Sequence, residues 1–306
     1  MLPREKEILD SLAVKKMYVK YFDVDWDAGN NEAVPIATID FSSPFDTCRE
    51  IIPVVFMTNK TFLNLPADKI QDLSSKVIKR IYQINQDNKL HCTEIQFDCD
   101  WTEKTKKSYF SFIECIKMEI PKEKYILSAT IRLHQVKYLK KTGVPPVDRG
   151  MLMFYNMGSL NDMKTSNSIF NIVDAEKYTE YIDDYPLPLD AVLPVFSWGI
   201  HIRDGKVMGL VNNLLAADVL KNKMFVQIDS SRFKALDGLF MNGEYFIKND
   251  ILRMEEITPE ACCAAAALLQ PHLKTSNFAI SLFHFNSPDS SRYAVSSFEN
   301  IYSHFN

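Results

Sequence analysis

Strand-like and helix-like segments alternate along most of this chain. The run 51–59 is apolar and rich in β-branched residues, as buried parallel strands are. The segment 66–86 follows it with apolar residues at helical spacing and Pro66 at its predicted first position. Further strand-like runs lie at 17–26, 34–41, 93–101, 125–135, 150–156, 190–200 and 277–285. Further helical segments lie at 102–118, 174–185 and 258–273. This alternation predicts βα units around a parallel sheet.

The number of these units favours one architecture. Seven or eight strands separated by helices indicate a (β/α)8 TIM barrel, which we expect to occupy residues 1–306 as a single domain. Neither GxGxxG nor GxxxxGK[ST] follows any strand, which disfavours a nucleotide-binding doubly wound sheet. Residues 201–257 contain short strand-like pieces, and we interpret them as hairpin insertions around the seventh strand.

The charge balance and the absence of long apolar runs restrict the partners. The chain has 35 basic and 39 acidic residues without a basic stripe, so we expect no nucleic-acid partner. No run approaches 18 apolar residues, and no transmembrane segment is predicted in this chain. The compartment stays open: exported or surface-anchored if a signal was trimmed, cytoplasmic otherwise. The six cysteines lack metal-ligand spacing, and we expect buried free thiols.

One short motif occurs twice, each time at the end of a strand-like run. FDVDWD begins at Phe22 and FDCDWT begins at Phe97. Because strand side chains alternate, the acidic residues of each motif share one face of the strand and the tryptophans share the other. In a barrel the apolar face meets the surrounding helices. The polar face is therefore predicted to line the interior.

The polar face of the 93–101 strand extends back from the motif and has a counterpart on the next strand. The residues predicted on these faces are Glu94, Gln96, Asp98 and Asp100 on the first strand, and Ser128, Thr130, Arg132 and His134 on the second. One interpretation is an internal ion-pair network, with Arg132 and Lys20 balancing Asp98 and Asp23. The other is a functional site, because barrel enzymes place their groups at the carboxyl ends of strands.

Several carboxylates around one pocket suit glycoside hydrolysis, in which one acid donates a proton and another acts as nucleophile or base. The predicted catalytic residues are Asp98, Asp100 and their partner Asp23. The predicted substrate-binding residues are Gln96, Arg132, His134, Tyr155, Asn156 and Trp198. A non-catalytic barrel that binds a glycan or a protein is the alternative, and carboxylates neutralised by a neighbouring Arg132 would favour it.

Other chemistries have weaker signals. D-x-D pairs resemble the manganese-holding pair of some glycosyltransferases, but no HxH, HExxH or Cys/His cluster accompanies them. No GxSxG motif anchors a Ser/His/Asp triad. We therefore predict that the protein uses no metal and no cofactor. We predict that its ligand is a carbohydrate.

Long segments of the chain resemble a known family. The run LSATIRLHQVKYLKKTGVPPVDRGMLMFYNMG (127–158), together with FDVDWD, IIPVVFMTN and EIQFDCDWT, resembles a family of uncharacterised bacterial proteins. The resemblance covers nearly the whole chain. It implies a TIM-barrel fold close to the glycoside hydrolases, and many members of the family look like exported lipoproteins.

A second likeness concerns the strand motif D-x-x-D-x-D-x-E of chitinase-type enzymes. Aligned on the last acid, this chain has Thr93, Gln96, Asp98 and Asp100 at the four positions. Shifted by two residues, Asp98 and Asp100 match the inner acids, and Thr102 replaces the glutamate that such enzymes use as the acid. The motif is therefore incomplete in both alignments.

Overall fold

The structure is a computed structural model that describes residues 3–41, 49–121, 123–274, 277–285 and 292–305. Its strands are β1 (Lys16–Asp27), β2 (Glu32–Ile36), β3 (Glu50–Met57), β4 (Glu94–Asp98), β5 (Ile126–Arg132), β6 (Arg149–Met153), β7 (Leu189–Pro194), β8 (Ser197–Arg203), β9 (Lys206–Asn212), β10 (Phe225–Gln227), β11 (Arg232–Ala235), β12 (Leu239–Met241), β13 (Glu244–Phe246), β14 (Ile251–Glu256) and β15 (Ile280–Phe283).

Ten α-helices lie among the described residues: α1 (Pro3–Ser11), α2 (Asn59–Asn64), α3 (Ile70–Asp87), α4 (Lys106–Glu119), α5 (Leu133–Lys137), α6 (Leu139–Thr142), α7 (Ile172–Ile182), α8 (Ala216–Lys221), α9 (Pro259–Leu269) and α10 (Val295–Ser303). Short 3₁₀ turns at Ala67–Lys69 and Gln270–His272 precede α3 and follow α9. None of the described helices is both long and apolar enough to cross a lipid bilayer.

The main sheet has eight strands in the order β15-β7-β6-β5-β4-β3-β1-β2. Seven of them run parallel, and β2 pairs with β1 as the antiparallel arm of a hairpin. Because parallel neighbours begin and end together, the carboxyl ends of β1, β3, β4, β5, β6, β7 and β15 lie at one edge of the sheet, which we call the carboxyl edge. The fold is therefore mixed α/β and rich in parallel strands.

The predicted faces of β4 are confirmed on the apolar side. Ile95, Phe97, Cys99 and Trp101 are all buried in the main core. Phe97 makes an edge contact with Phe112 on α4, and Trp101 stacks on Tyr109 of the same helix at 5.2 Å between ring centroids. The aromatic rings of this face therefore fasten helix α4 to the sheet.

The insertion comprises residues 197–256 and forms a sheet of its own. Its antiparallel strands follow the order β10-β11-β14-β8-β9, and β12 and β13 form a separate hairpin. A second apolar cluster, which includes Phe233, Phe246 and Leu252, fills the space between these pieces. The insertion follows β7, which corresponds to the predicted 190–200 run, the seventh of the strand-like runs in chain order.

Several predicted element boundaries were wrong, among them the start of helix α3, which is Ile70 and not Pro66. The 190–200 strand is interrupted after Pro194, and its second half, β8, belongs to the insertion. Helix α4 begins at Lys106, because the Thr105 hydroxyl accepts from the Thr102 amide at 2.8 Å and holds a turn there, so Thr102 is not the N-cap. Strand β5 ends at Arg132.

Candidate functional site

Two neighbouring strands place the predicted carboxylates and their counter-ion together. Strands β4 and β5 are paired in parallel, with Phe97 beside Ala129. Asp98, the last residue of β4, accepts from Thr130 at 2.5 Å and from Arg132 Nη2 at 3.3 Å. The Arg132 Nε also pairs with Asp100. One guanidinium thus contacts both carboxylates, and its pairing with Asp98 is the one that the ion-pair interpretation of the sequence predicted.

The first motif supplies a second pair of carboxylates, on β1. Asp23 pairs at 3.0 Å with Lys20, one of the two cations predicted to balance Asp23 and Asp98. Asp25 accepts from the Thr58 hydroxyl at 2.7 Å and lies 3.9 Å from the Lys60 ammonium. The carboxyl edge therefore carries an acidic group balanced by cations from adjoining elements.

The environment of Asp98 perturbs its ionisation. Burial raises the pKa of the Asp98 carboxyl, and the negative charges of Asp100 and Asp23 raise it further. The Arg132 cation and the hydrogen bond from Thr130 act in the opposite direction. The pKa of Asp98 remains above its usual value, so burial outweighs its two favourable partners.

The polar face of β4 closes off below Asp98. Gln96 is buried and donates to the Ser128 hydroxyl at 3.3 Å, and Ser128 donates to Glu94 at 2.6 Å. Gln96 is thus buried and bonded to another side chain, two residues before Asp98 and away from the carboxyl edge. The polar face of this strand is structural at one end and accessible at the other.

An aromatic wall adjoins these charges at the carboxyl ends of β6, β7 and β15. It consists of Tyr155, Phe196, Trp198 and Phe283. The rings of Tyr155 and Phe283 stack at 5.6 Å with an interplanar angle of 2°. Phe196 makes edge contacts with Tyr155, Phe283 and Trp198. Phe283 is 44% exposed, so it presents apolar ring surface to a ligand.

Tyr155 connects the wall to the charged group. Burial raises the pKa of Tyr155, and the Asp98 and Asp100 carboxylates add to this effect while Arg132 opposes it. Its phenol therefore stays protonated at neutral pH. The predicted residues Asp98, Asp100, Arg132, Tyr155 and Trp198 are thus linked through ion pairs, electrostatic interactions and ring contacts, with Tyr155 itself only 4% exposed.

Two predicted substrate-binding residues occupy different positions from those expected. His134 lies on the first turn of α5 and is exposed, since β5 ends before it, and so it does not share the polar face of the strand. Asn156 is exposed just after β6, in a left-handed backbone conformation with φ of 55°. Its backbone N–H donates to the backbone carbonyl of Ile169 at 2.7 Å. Asn156 therefore begins the loop that runs from β6 to α7.

Phe196 and Phe283 were not among the residues predicted for the site. Both follow or end strand-like runs, in the strings PVFSW and SLFHF, and the position at a strand end was the available signal. Phe196 lies 41 residues from Tyr155 in the chain, and Phe283 lies 128 residues from it, yet both rings contact Tyr155. Sequence spacing carries no information about that contact.

Two surface clefts lie at the opposite end of the sheet, away from these residues. They have volumes of about 220 and 420 Å³ and share Leu90, His91 and Cys92, which precede β4. None of the predicted site residues lines either cleft. We place the candidate site at the carboxyl edge, since the Asp98 carboxyl with its raised pKa and the exposed aromatic ring are there. In the described part of the chain, no three His, Cys, Asp or Glu side chains are grouped to hold a metal ion.

The chain matches no protein-family model and no curated protein sequence. Solved structures do match it over its whole length. The spore cortex-lytic enzyme SleL of Bacillus cereus superposes with a TM-score of 0.59 at 14% identity, over 100% of this chain and 71% of that one. The chitinase-like agglutinin RobpsCRA of Robinia pseudoacacia gives 0.58 at 15% identity, over 100% and 96%. A GH18 chitinase of Cycas revoluta, solved with (GlcNAc)4, gives 0.58 at 10% identity, over 100% and 96%.

The chain has a chitinase-like fold. The similarity extends through the insertion, because each of the three superpositions covers all of this chain. At these identities the likeness establishes only that this mixed α/β fold, with its parallel-rich main sheet, is similar to the folds of these proteins, and it establishes nothing about activity. The three neighbours themselves include two enzymes and one agglutinin.

Proposed function

We propose that this protein binds a glycan at the carboxyl edge of its main sheet without hydrolysing it. The observation that carries the proposal is the double pairing of Arg132 with Asp98 and Asp100. A glycosidase needs one carboxylic acid free to donate a proton and one carboxylate free to attack or to activate water. Here one guanidinium engages both groups.

The position of the acid supports the same interpretation. In one of the two alignments with the chitinase strand motif, Thr102 occupies the place of the catalytic glutamate; in the other, Asp100, which pairs with Arg132, occupies it. The Thr102 amide is bonded to the Thr105 hydroxyl in the turn before α4, and its own hydroxyl lies 3.3 Å from that of Thr105. A threonine hydroxyl has no carboxylic proton to donate at neutral pH.

The aromatic wall supplies a surface for sugar rings. Carbohydrate sites combine apolar ring faces with a few fixed polar groups. Phe283 is 44% exposed, and Tyr155 behind it fixes its orientation by stacking. Asp100, whose side chain is 49% exposed, offers acceptors to sugar hydroxyls on the charged side. The chitinase-like agglutinin among the neighbours is a further reason to consider binding.

A glycoside hydrolase is the second candidate, and one observation favours it. Burial raises the pKa of Asp98, and a raised pKa is what a general acid requires. In this interpretation Asp98 would donate the proton, and Asp100 or Asp23 would act on the sugar or on water. The closed (β/α)8 form of the barrel and membership of a bacterial lipoprotein family remain predictions.

Calorimetric titration with (GlcNAc)4, combined with a panel of aryl glycosides and oligosaccharides, separates the two candidates. The variants are Asp98→Asn and Asp100→Asn. Asp87→Asn is the matched control, because Asp87 is exposed at the end of α3 beside the amino end of β4. Binding without turnover, weakened in the first two variants and intact in the control, is the expected result.

Turnover that disappears in Asp98→Asn while circular dichroism shows an intact fold would establish the hydrolase instead. If the wild-type protein binds no member of the panel, the glycan-binding proposal is wrong for these sugars. Loss of stability in Asp98→Asn and Asp100→Asn, without any effect of the sugars, would leave only the ion-pair network.

A further inference from the structure

A buried carboxylate in the insertion links that unit to the aromatic wall. Glu255 lies on β14 and is 1% exposed. Its Oε2 accepts from the Trp198 indole Nε1 at 2.8 Å, from the Ser168 amide at 2.9 Å and from the Ser168 hydroxyl at 2.5 Å. Three donors from two distant segments therefore converge on one oxygen.

The other oxygen of Glu255 is held by an equally buried cation. Arg253 is 0% exposed, and its Nε donates to Glu255 Oε1 at 2.9 Å. The remaining guanidinium nitrogens donate to the carbonyls of Asp162 at 2.9 Å and Leu160 at 3.2 Å. The pair is thus satisfied on both sides, and its geometry is fixed by hydrogen bonds in several directions.

These bonds fasten the loop between β6 and α7 to the insertion. Ser168 lies in that loop, and its carbonyl accepts from the Gly158 amide at 3.1 Å. The neighbouring Ile169 carbonyl accepts from Asn156 at 2.7 Å, at the exposed start of the loop. Position 158 tolerates only glycine without movement, since an added Cβ would lie 2.9 Å from the Ser168 Cα. The loop therefore returns close to its own beginning, where Glu255 holds it.

The same carboxylate orients the half-buried tryptophan of the wall. An indole N–H that donates to a buried carboxylate has one preferred ring orientation. The Trp198 ring meets Phe196 edge-on at 5.3 Å, and Phe196 meets the exposed Phe283 in the same way at 5.8 Å. Displacement of Trp198 would remove the support of Phe196 and, through it, of the ring proposed to contact the sugar.

We propose that Glu255 is a positioning residue for the glycan site, through which the insertion fixes Trp198 and the β6–α7 loop. It acts through these groups and does not itself contact the ligand, because it is buried. The part of the inference that concerns a glycan ligand rests on the proposed function. The part that concerns the orientation of Trp198 rests on the geometry alone. The insertion is then a part of the binding site.

The test follows the indole N–H signals of ¹⁵N-labelled protein together with the affinity for (GlcNAc)4. The chain has three tryptophans, and the Trp198 signal is the one missing from Trp198→Phe. The principal variant is Glu255→Gln, since glutamine presents an NH₂ group to donors that now share one oxygen. Glu256→Gln is the control: it makes the same charge change one residue along, at a side chain that accepts from Ala216 instead.

We expect Glu255→Gln to shift or broaden the Trp198 signal alone among the three, and to weaken (GlcNAc)4 binding by at least tenfold. Glu256→Gln should change neither. Trp198→Phe and Glu255→Gln should also be non-additive, because both remove the same contact. An unmoved Trp198 signal, an unchanged affinity or additive effects would overturn the proposal.

If Glu255→Gln does not fold, Ser168→Ala replaces it, since that variant leaves the Glu255–Arg253 pair intact and removes one donor from Glu255. It should weaken binding by a few-fold, and unchanged binding would count against the role of the loop. Failure of the proposed function looks different: the wild-type protein would not bind (GlcNAc)4, while the Trp198 signal would still respond to Glu255→Gln.

Discussion

The two ends of β4 differ although their polar side chains lie on the same face of the strand. At the amino end, Glu94 is 1% exposed and accepts from Ser128 at 2.6 Å, and from Tyr18 and Lys16 at 3.3 Å. At the carboxyl end, the Asp98 side chain is 21% exposed and shares its guanidinium partner with the more exposed Asp100. Four residues separate a closed structural network from an open surface.

This difference shows why polarity along a strand does not by itself locate a site. Both carboxylates have partners, so the presence of an ion pair cannot distinguish them. Access and neighbouring surface do distinguish them, because only the carboxyl end adjoins an exposed aromatic ring. Changes at the amino end should therefore affect stability alone, whereas changes at the carboxyl end should also affect ligand binding.

The largest effect is expected from Glu94→Ala. This change leaves Lys16, Tyr18 and Ser128 without their shared acceptor, and breaking a buried charged network of this kind costs about 3–5 kcal/mol. Urea denaturation would measure the loss in free energy of unfolding. Affinity for (GlcNAc)4 in the folded fraction should be unchanged, and reduced affinity would contradict the separation of the two ends.

Arg132→Gln should cost less stability and act on the site directly. Hydrogen bonds to charged groups contribute about 1.5–3 kcal/mol, and the partly exposed position of Arg132 places the loss at the lower end. Because the Arg132 cation lowers the pKa of Asp98, its removal should raise that pKa further. Carbon-detected NMR titration of the carboxyl measures the shift. A lower pKa in the variant would show that Arg132 is not its counter-ion.

Phe283→Ala should reduce (GlcNAc)4 affinity by about tenfold, which corresponds to about 1.4 kcal/mol. The physical reason is the loss of an exposed ring face at the carboxyl edge. Met118→Ala is the control: Met118 is 74% exposed on α4, outside the aromatic wall, and should leave the affinity as it is. Equal effects of the two substitutions would indicate that the ring has no specific role.

The smallest effect concerns pH. Asp98 has a raised pKa in the folded protein, so the unfolded chain releases this proton first as the pH rises above the usual value of 3.8. The contribution of Asp98 to stability is therefore complete below that pH and is lost as the pH rises through the folded-state pKa. In Asp98→Asn, the unfolding free energy measured as a function of pH should therefore fall less steeply between pH 3.8 and the folded-state pKa of Asp98.

The same comparison can be made at the other end of the sheet. Burial also raises the pKa of Asp190, which is 1% exposed on β7 and pairs with Arg149. Asp190→Asn should likewise reduce the fall in unfolding free energy as the pH rises. It should not change the pH dependence of glycan binding. A change in the binding profile would show that the amino end communicates with the site.

Much of the fold followed from local patterns in the sequence. The alternation of buried strands with amphipathic helices gave the parallel sheet, and the two-residue period of β4 gave the burial of Phe97 and Trp101 against α4. The pairing of Arg132 with Asp98 was one of the two interpretations of the polar strand faces, with Lys20 as a second cation of the same network. Periodicity determines which face a side chain occupies because the pleat is a property of the backbone.

The position of the insertion was less accessible to this kind of inference. An apolar run such as 190–200 reads as one strand, and no residue pattern shows that it changes sheets after Pro194. The predicted position of His134 on the polar face of β5 was wrong for a related reason. The alternating pattern of a strand continues past Arg132, but the Gln135 side chain accepts a hydrogen bond from the Arg132 backbone amide, and a helix starts there. A local hydrogen bond thus decided the end of β5.

By itself the sequence determined the strand faces and the alternation of strands with helices that indicates a parallel sheet, because each depends on residues close together in the chain. Only the tertiary structure decided that Phe283 stacks on Tyr155 and that Glu255 holds Trp198 and Ser168. Those contacts join residues separated by 57 to 128 positions, as their numbers give. Such pairings arise when the strands assemble, and the spacing of residues along the chain does not encode them.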